Sequence, residues 1–490
     1  MPQVVLAIDA GTTGITTLVI DERATVVARG YREFQQYYPR PGWVEHDPLE
    51  IWEATLVAAR AALDGAGLRA RDCAAIGITN QRETAVIWDR ATLRPIANAI
   101  VWQDRRTAAR CDELREAEPA IRAQTGLVLD AYFSATKIEW LLTNIGGARA
   151  RAERGELAFG TIDSWLIAKL TGGAVHATDY TNASRTLLYD IYARDWSQQL
   201  LDMFGVPPAV LPDVRSSSGS FGTASIFGDE VPISGVAGDQ QAALFGQACF
   251  EPGMTKNTYG TGSFVLMNIG GVAPPPPSGL LLTLACGPGG TPAYAMEGSI
   301  FVTGAAIQWL RDGLGIIAQA SETGPLAESV PDTGGVYFVP ALTGLGSPYW
   351  DPYARGMIVG ITRGTTRAHL ARAAVEAMAY QTRDVIDAME REAGVHPAEL
   401  RVDGGASAMN LLCRLQADQL GVAVRRPAIQ ETTGLGAAFL AGIAKGVWSS
   451  TEELQKTWRL DKEFMPSTPD PALYEGWARA VERARAWEKA

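Results

Sequence analysis

The chain begins with a predicted strand that is followed by an acidic residue and by a turn rich in Gly and Thr. No other pattern in the sequence limits the possible folds as strongly. The apolar run Val4–Ile8 predicts a buried strand, and Thr17–Ile20 predicts a second strand that pairs back against it. Between them lie Asp9 and the segment Gly11–Gly14, whose glycines allow backbone N–H groups to converge while its two threonines add hydroxyl donors. The pattern predicts a hairpin whose turn can hold a phosphate, with an ordinary β-turn as the alternative.

The second half of the chain opens with the same pattern. Thr255–Tyr259 is strand-like, Gly260–Ser263 is another Gly/Thr turn, and Phe264–Asn268 predicts a returning strand. Two such hairpins indicate an internal duplication. Because 490 residues are too many for one hydrophobic core, we expect two domains that meet near residues 246–252, with a cleft between them.

The remaining elements alternate between strands and helices, which predicts an α/β fold with mixed sheets. Asp47, followed by Pro and Glu, predicts a helix that runs to Leu63 and stops near Gly65. We also expect a strand at Ile100–Trp102, a long helix at Ala368–Glu392, a helix that opens at Gly404–Gly405, and an apolar helix at Leu435–Ala444.

Composition excludes several classes of partner and site. The net charge of −11 argues against binding to nucleic acid or to an anionic membrane surface. The five cysteines are scattered without metal-binding spacing, and the four histidines are isolated from one another. We expect no signal peptide, no membrane insertion and a cytoplasmic location, where the thiols stay reduced.

The common nucleotide-binding motifs, GxxxxGK[ST] and GxGxxG, are missing. From end to end, however, the chain resembles the glycerol kinases of the FGGY carbohydrate kinase family. The stretches that carry this resemblance are Pro41–Pro48, Gly77–Thr84, Ala99–Gln103, Tyr132–Ser134, Gly235–Gly246, Lys256–Gly262, Pro348–Gly356 and Leu400–Ala406.

The resemblance implies an α/β fold of two duplicated ribonuclease H-like domains, of the actin/hexokinase ATPase type, around a central cleft. Residues 1–248 would form an N-terminal domain with the glycerol site and the first phosphate loop. Residues 249–490 would form a C-terminal domain with the second phosphate loop and the adenosine site. The implied reaction is ATP-dependent, Mg²⁺-assisted phosphorylation of glycerol to sn-glycerol 3-phosphate and ADP.

The resemblance also assigns roles to individual residues. Asp239 matches the general base that accepts the glycerol hydroxyl proton; a helix N-cap is the alternative reading of this residue. The positions that match substrate contacts are Arg82, Glu83, Tyr132, Asp239 and Gln240, with Trp102 and Phe264 as the apolar wall. The positions that match nucleotide contacts are Thr12, Thr13, Gly14, Thr261, Gly304, Gln308, Gly405 and Met409. Asp9 matches the residue that holds Mg²⁺, through water.

Three departures from the family pattern affect these expectations. Many glycerol kinases have an arginine near the phosphates where this chain has Thr16, and an asparagine at the nucleotide where it has Met409. The segment Phe227–Val231 is short, acidic and without histidine, so we predict neither inhibition by a sugar bisphosphate nor control by histidine phosphorylation.

Other functions stay open at this point. The chain could be an FGGY kinase of another small polyol or sugar, such as erythritol or xylulose, or a catalytically weak relative that only binds ligand. Adjacent Arg82 and Glu83 would point to opposite faces of a regular strand, so they can share a substrate only if the chain turns near Asn80–Gln81. Relatives are often homodimers or homotetramers, and we expect the same here.

Overall fold

The computed structural model describes residues 3–467 and 471–488 and contains two large mixed sheets. The first sheet has six strands, in spatial order Thr223–Ile226, Asp229–Gly238, Cys73–Asn80, Val4–Ala10, Gly14–Asp21 and Val26–Glu33. The second has seven, in the order Leu281–Cys286, Pro292–Ile300, Ser263–Gly270, Met254–Tyr259, Glu399–Asp403, Val424–Pro427 and Leu460–Phe464.

The two sheets are built on the same plan. In each, the opening strand pairs antiparallel with the next strand of its hairpin and parallel with a strand that returns after a crossover. A second parallel strand and then an antiparallel edge strand complete both sheets on that side. The predicted hairpins and the internal duplication are therefore confirmed.

Helices and short ladders surround these sheets. The α-helices are Pro48–Ala66, Ala108–Glu113, Glu118–Thr125, Ser134–Asn144, Ala148–Glu153, Ile162–Leu170, Tyr180–Ala183, Gln198–Met203, Asp239–Gly246, Gly304–Asp312, Thr323–Glu328, Arg367–Ala393, Asn410–Leu420, Thr432–Lys445, Thr451–Thr457 and Pro471–Ala484. The two-stranded ladders pair Glu45–His46 with Ala99–Ile100, Val86–Asp89 with Leu157–Gly160, Ala177–Asp179 with Asp213–Arg215, Tyr189–Asp190 with Asp195–Trp196, and Tyr337–Val339 with Met357–Val359. Within the described ranges, no helix has the length and apolar character needed to span a bilayer.

One helix of the second half, Thr432–Lys445, packs on the first sheet; we call it the shared helix. Its backbone approaches the sheet so closely that a Cβ at Gly77 would lie 2.2 Å from the carbonyl oxygen of Ala437. A Cβ at Gly235 would lie 2.4 Å from the nitrogen of Ala441. Only glycine fits at these two sheet positions, and the close contact joins the two halves of the chain below the cleft.

Several predicted boundaries are wrong. The helix that begins at Pro48 continues past Gly65 to Ala66, and it ends at Gly67, which takes a left-handed φ of 67°. The strand expected at Ile100–Trp102 covers only Ala99–Ile100. Gly405 opens a 3₁₀ turn, Gly405–Ala408, and the α-helix starts at Asn410.

Candidate active site

The two hairpin turns occupy corresponding positions in their sheets. Each turn places three residues between its strands, Gly11–Thr13 in the first sheet and Gly260–Gly262 in the second. Gly11 N donates to Gly14 O at 3.1 Å, and Gly260 N donates to Gly262 O at 2.8 Å. Both turns therefore expose backbone and threonine donors at the end of a central strand, which suits binding of phosphate oxygens.

Asp9 stands beside the first turn, directly across the strand pair from Thr16. Burial raises the pKa of Asp9 to about 7, and the negative charge of Asp239 adds to the rise, so the two carboxylates are close enough to interact. A cation between them and the phosphates would remove this repulsion. Within residues 3–467 and 471–488, no group of three or more His, Cys, Asp or Glu side chains could hold a metal ion. A single buried carboxylate such as Asp9 is compatible with Mg²⁺, because Mg²⁺ keeps most of its water and takes few protein ligands.

Arg82 and Glu83 lie on a turn that follows the strand Cys73–Asn80. Glu83 adopts a left-handed φ of 62°, and Thr84 N donates to Arg82 O at 2.7 Å. The strand thus ends before the pair, as sharing one substrate requires. A positive φ at a residue other than glycine is strained, and such strain is concentrated at functional sites.

Behind this turn lies a buried network of charged side chains. Arg82 donates to both oxygens of Glu297, at 2.6 and 3.0 Å. Arg185 donates to Glu297 Oε1 at 2.9 Å and to Glu83 Oε1 at 2.7 Å. Burial opposes ionisation of Glu297, but the two guanidinium groups hold its pKa at about 2. Glu297 therefore stays ionised, and its hydrogen bonds to the two arginines fix Arg82 and, through Arg185, Glu83 in place.

Asp239 is the carboxylate of this group that faces the cleft. Its side chain is 27% exposed, against 2% or less for Arg82, Glu83 and Glu297. Arg82 Nε lies 3.2 Å from Asp239 Oδ1, which also accepts from Gln240 N at 2.7 Å. Burial raises the pKa of Asp239, while Arg82 lowers it.

The helix that carries Asp239 is capped by its neighbour. The helix N-cap is Gly238, and Asp239 is the first helical residue, so the alternative reading of Asp239 as an N-cap is wrong. The start of this helix aims the carboxylate of Asp239 at the cleft.

A buried lysine, Lys256, approaches Asp239 from the second sheet. Its Nζ donates to Gln240 Oε1, on the helix of Asp239, and to Thr258 Oγ1. Burial lowers the pKa of Lys256 to about 8.

Aromatic side chains line the cleft next to these charges. The rings of Trp102 and Tyr132 meet edge to face, with centroids 5.6 Å apart. Trp102 Nε1 also donates to Thr12 Oγ1 at 3.0 Å, so this wall is linked to the first turn. Phe264 lies on the second sheet, opposite Ser299. The pair Leu266 and Glu297 is two residues further along, so Phe264 and Glu297 lie on the same face of that sheet.

Lys137 holds the segment that presents Tyr132. Its ammonium group is fully buried and donates to the carbonyl oxygens of Ala131, Tyr132 and Phe133 at 2.6, 2.6 and 2.9 Å. Three donors meet three acceptors, so the ammonium is satisfied although burial lowers its pKa to about 7. This clamp fixes the backbone below the Tyr132 ring.

A cavity of about 680 Å³ opens beside the second turn. This volume suits a nucleoside, because binding pockets for small molecules range from about 300 to 1,000 Å³. It is lined by all five predicted nucleotide positions of the second half, Thr261, Gly304, Gln308, Gly405 and Met409. The three positions of the first half, Thr12, Thr13 and Gly14, lie in and next to the first turn instead.

Comparison with known proteins identifies this arrangement. Residues 4–246 match the N-terminal domain of the FGGY family of carbohydrate kinases, and residues 255–445 match its C-terminal domain. The chain belongs to the FGGY family of carbohydrate kinases. The predicted fold class, two duplicated α/β domains of the actin/hexokinase type, is confirmed for this FGGY kinase.

Individual relatives cover the whole FGGY chain. It is 57% identical to glycerol kinase 2 of Thermotoga maritima over 99% of both chains. It is 56% identical to the glycerol kinase of Deinococcus radiodurans over 99% of this chain and 98% of the relative. Its structure is similar to the crystal structure of Plasmodium falciparum glycerol kinase with ADP, with a TM-score of 0.92, 34% identity, and 99% and 98% of the two chains covered.

Three buried charges of this FGGY kinase were missed in the sequence: Arg185, Lys256 and Glu297. A signal for one of them was present. Glu297 is the charged residue of the buried strand Pro292–Ile300, and a charge in a buried strand requires a partner. Its partners lie far away along the chain, so the sequence pattern alone does not identify them.

Proposed function

We propose that this FGGY kinase transfers the γ-phosphoryl group of ATP to a terminal hydroxyl of glycerol, giving sn-glycerol 3-phosphate and ADP in glycerol catabolism. The observation that carries the proposal is the position of Asp239, a partly exposed carboxylate held at 3.2 Å from Arg82 on the cleft side of a buried charge network. Full-length similarity to proteins named glycerol kinase supports this choice of substrate.

Asp239 acts as the general base. As the hydroxyl oxygen of glycerol forms a bond to the γ-phosphorus, its proton passes to a carboxylate oxygen of Asp239, and the bond from the γ-phosphorus to the leaving ADP oxygen breaks in line. Asp9 would hold Mg²⁺ through water, and the ion supplies charge neutralisation at the phosphates. Arg82 keeps Asp239 oriented for this step and opposes the rise in its pKa that burial causes.

Glycerol is held by the groups around Asp239. Arg82, Glu83, Tyr132 and Gln240 supply donors and acceptors for its hydroxyls, and Trp102 and Phe264 cover its carbon chain. Trp102, which meets Tyr132 edge to face, and Phe264 are bulky side chains that would leave little room for extra carbons. This favours glycerol over erythritol or xylulose.

The nucleotide spans both halves. Thr12, Thr13, Gly14 and Thr261 bind the phosphates, and the cavity with Gly304, Gln308, Gly405 and Met409 binds adenosine. We place the domain division at residue 248, between the helix Asp239–Gly246 and the strand Met254–Tyr259. We further propose a cytoplasmic homodimer or homotetramer, as is common among the proteins it resembles.

A coupled assay of ADP release, run with glycerol, erythritol and xylulose in the presence of Mg²⁺ and ATP, tests the proposal. Glycerol should give the highest kcat/KM, and Asp239→Asn should lower kcat by ~10²–10⁴-fold without loss of glycerol binding. Asp213→Asn, on an exposed edge, is the matched control and should keep full activity. A higher kcat/KM for a tetritol or pentulose would favour another substrate, and absence of turnover with intact binding would indicate a ligand-binding relative.

A further inference from the structure

Arg29 lies on the cleft side of the first sheet, close to the first turn. Its strand, Val26–Glu33, pairs with Gly14–Asp21 so that Arg29 is opposite Leu18, two residues from Thr16. Side chains two residues apart share a face of a sheet, so Arg29 is on the face that carries Thr16 and its cross-strand neighbour Asp9. Leu18, on the same face, packs against the shared helix. Arg29, Thr16 and Asp9 therefore lie on the face of the first sheet that the shared helix covers.

The guanidinium group reaches across the sheet to this neighbourhood. Arg29 Nη2 donates to Thr16 Oγ1 at 3.5 Å, and Arg29 Nε lies 3.8 Å from Glu431 Oε1, just before the shared helix. Both contacts are long, and the side chains of Arg29 and Glu431 are 50% and 43% exposed. A pair of this kind is weak, so an anion in the cleft can replace it.

The charged side chains near the cleft are balanced between positive and negative, so a further cation is needed to bind phosphates. The buried network holds three cations, Arg82, Arg185 and Lys256, and three carboxylates, Glu83, Glu297 and Asp239. The two arginines form the ion pairs with the carboxylates, and Lys256 donates to Gln240 and Thr258. This network has no surplus positive charge for the phosphates of a nucleotide. The two turns supply neutral donors, and Thr16 supplies only a hydroxyl.

We propose that Arg29 binds the phosphate oxygens of the nucleotide across Thr16 and supplies the cationic side chain that the first turn lacks. The proposal rests on the proposed function in requiring a nucleotide polyphosphate as ligand. A guanidinium group has five donors in a planar fork that matches phosphate oxygens, and exchanging Glu431 for phosphate needs only a rotation of its exposed end.

Calorimetric titration of the full-length protein with Mg²⁺ and ADP tests this, with adenosine as the ligand that has no phosphate. In Arg29→Ala the Kd of ADP should rise about 10-fold, because a charge-assisted hydrogen bond is lost, while the Kd of adenosine stays unchanged. Arg32→Ala is the matched control, since Arg32 is exposed on the same strand but opposite Ile15, on the other face of the sheet. It should change neither value.

Unchanged ADP affinity in Arg29→Ala would overturn the proposal, and so would an equal loss for adenosine, which indicates a structural effect. If the alanine variant fails to fold, Arg29→Gln keeps the stem of the side chain and is held to the same two criteria. Kinetics give an independent readout, in which the KM for MgATP rises and the KM for glycerol does not. Because binding is measured without phosphoryl transfer, failure of glycerol phosphorylation and failure of this assignment give different results.

Discussion

Arg82 and Glu297 form a two-pronged ion pair, with hydrogen bonds of 2.6 and 3.0 Å, between a turn of the first half and a strand of the second. The side chains are 2% and 0% exposed. The pair therefore connects the two sheets through the floor of the cleft and places Arg82 Nε against Asp239. The proposed substrate site and the joining of the two halves therefore share these two side chains.

Glu297→Gln should destabilise the protein. Arg82 and Arg185 would lose the shared carboxylate and remain buried with less compensating charge, and breaking a buried pair in this way costs about 3–5 kcal/mol. Denaturant unfolding followed by intrinsic fluorescence measures the loss. Asp312→Asn, which removes an exposed partner of Arg311, is the control and should leave the unfolding curve in place. Equal curves for the two variants would contradict the role given to Glu297.

Lys137→Met should raise the KM for glycerol and lower stability. The variant leaves three backbone carbonyl oxygens around Tyr132 without their donor, and each unsatisfied buried acceptor costs about 1–3 kcal/mol. Steady-state kinetics and thermal unfolding report the two effects. Lys169→Met is a suitable control, because Lys169 lies over Trp52 and Trp165, away from the cleft. An unchanged glycerol KM in a folded Lys137→Met protein would show that the clamp does not position Tyr132.

Stability without Mg²⁺ and nucleotide should depend on pH through Asp9. Its pKa in the folded protein, about 7, lies above the ordinary value of 3.8, so between these values the folded state binds more protons than the unfolded chain. The contribution of Asp9 to stability is therefore present at low pH and is lost as the pH rises to about 7. Asp9→Asn removes this loss.

Thermal unfolding at several pH values measures the effect. Asp9→Asn should have a higher Tm than the wild type at pH 8, by about 2 °C or more, and the difference should shrink toward pH 4. Asp213→Asn, at an exposed edge, should follow the wild type at every pH. A constant difference between Asp9→Asn and the wild type across this range would show that Asp9 does not titrate as described.

Local sequence patterns predicted the parts of the fold that are set by near neighbours. The two hairpins follow from apolar runs that flank Gly/Thr turns, and Arg367–Ala393 follows from a long helical pattern. The end of the first helix was not predicted correctly. Gly65, which was expected to stop the helix, lies inside it and faces Ala28 of the sheet. Packing on the sheet sustains the helix through this glycine until Gly67.

The arrangement of the candidate site follows from the sequence only to the extent that family motifs carry its residues. Asp239 and Arg82 lie within such motifs, and the structure brings them within 3.2 Å of each other. Glu297 and Arg29 lie outside these motifs. Glu297 contacts Arg82 in the other half of the chain, and Arg29 contacts Thr16 on the neighbouring strand. Sequence separation hides such pairs: Arg82 and Glu297 are 215 residues apart.

Met409 should lower the selectivity of the enzyme for ATP over other nucleoside triphosphates. It lines the cavity proposed for the nucleotide, where a Cβ on Gly324 would lie 3.2 Å from its Cγ, so this part of the wall is apolar. The neighbouring Asn410 also lines the cavity, but its Oδ1 accepts from Arg426 Nη1 at 3.2 Å, so its amide oxygen is already engaged. With no amide at position 409 to bond a base edge, we expect kcat/KM for GTP and ITP within about 10-fold of the value for ATP.

Met409→Asn should restore a preference for ATP by about 5–10-fold, the effect of one hydrogen bond to the base. The ratio of kcat/KM values for ATP and GTP, measured with glycerol in excess, gives the result directly. Met465→Asn is the control, since Met465 is exposed outside the cavity. A wild-type preference for ATP above about 100-fold would require a base-reading group other than residue 409, because one neutral hydrogen bond contributes less than that.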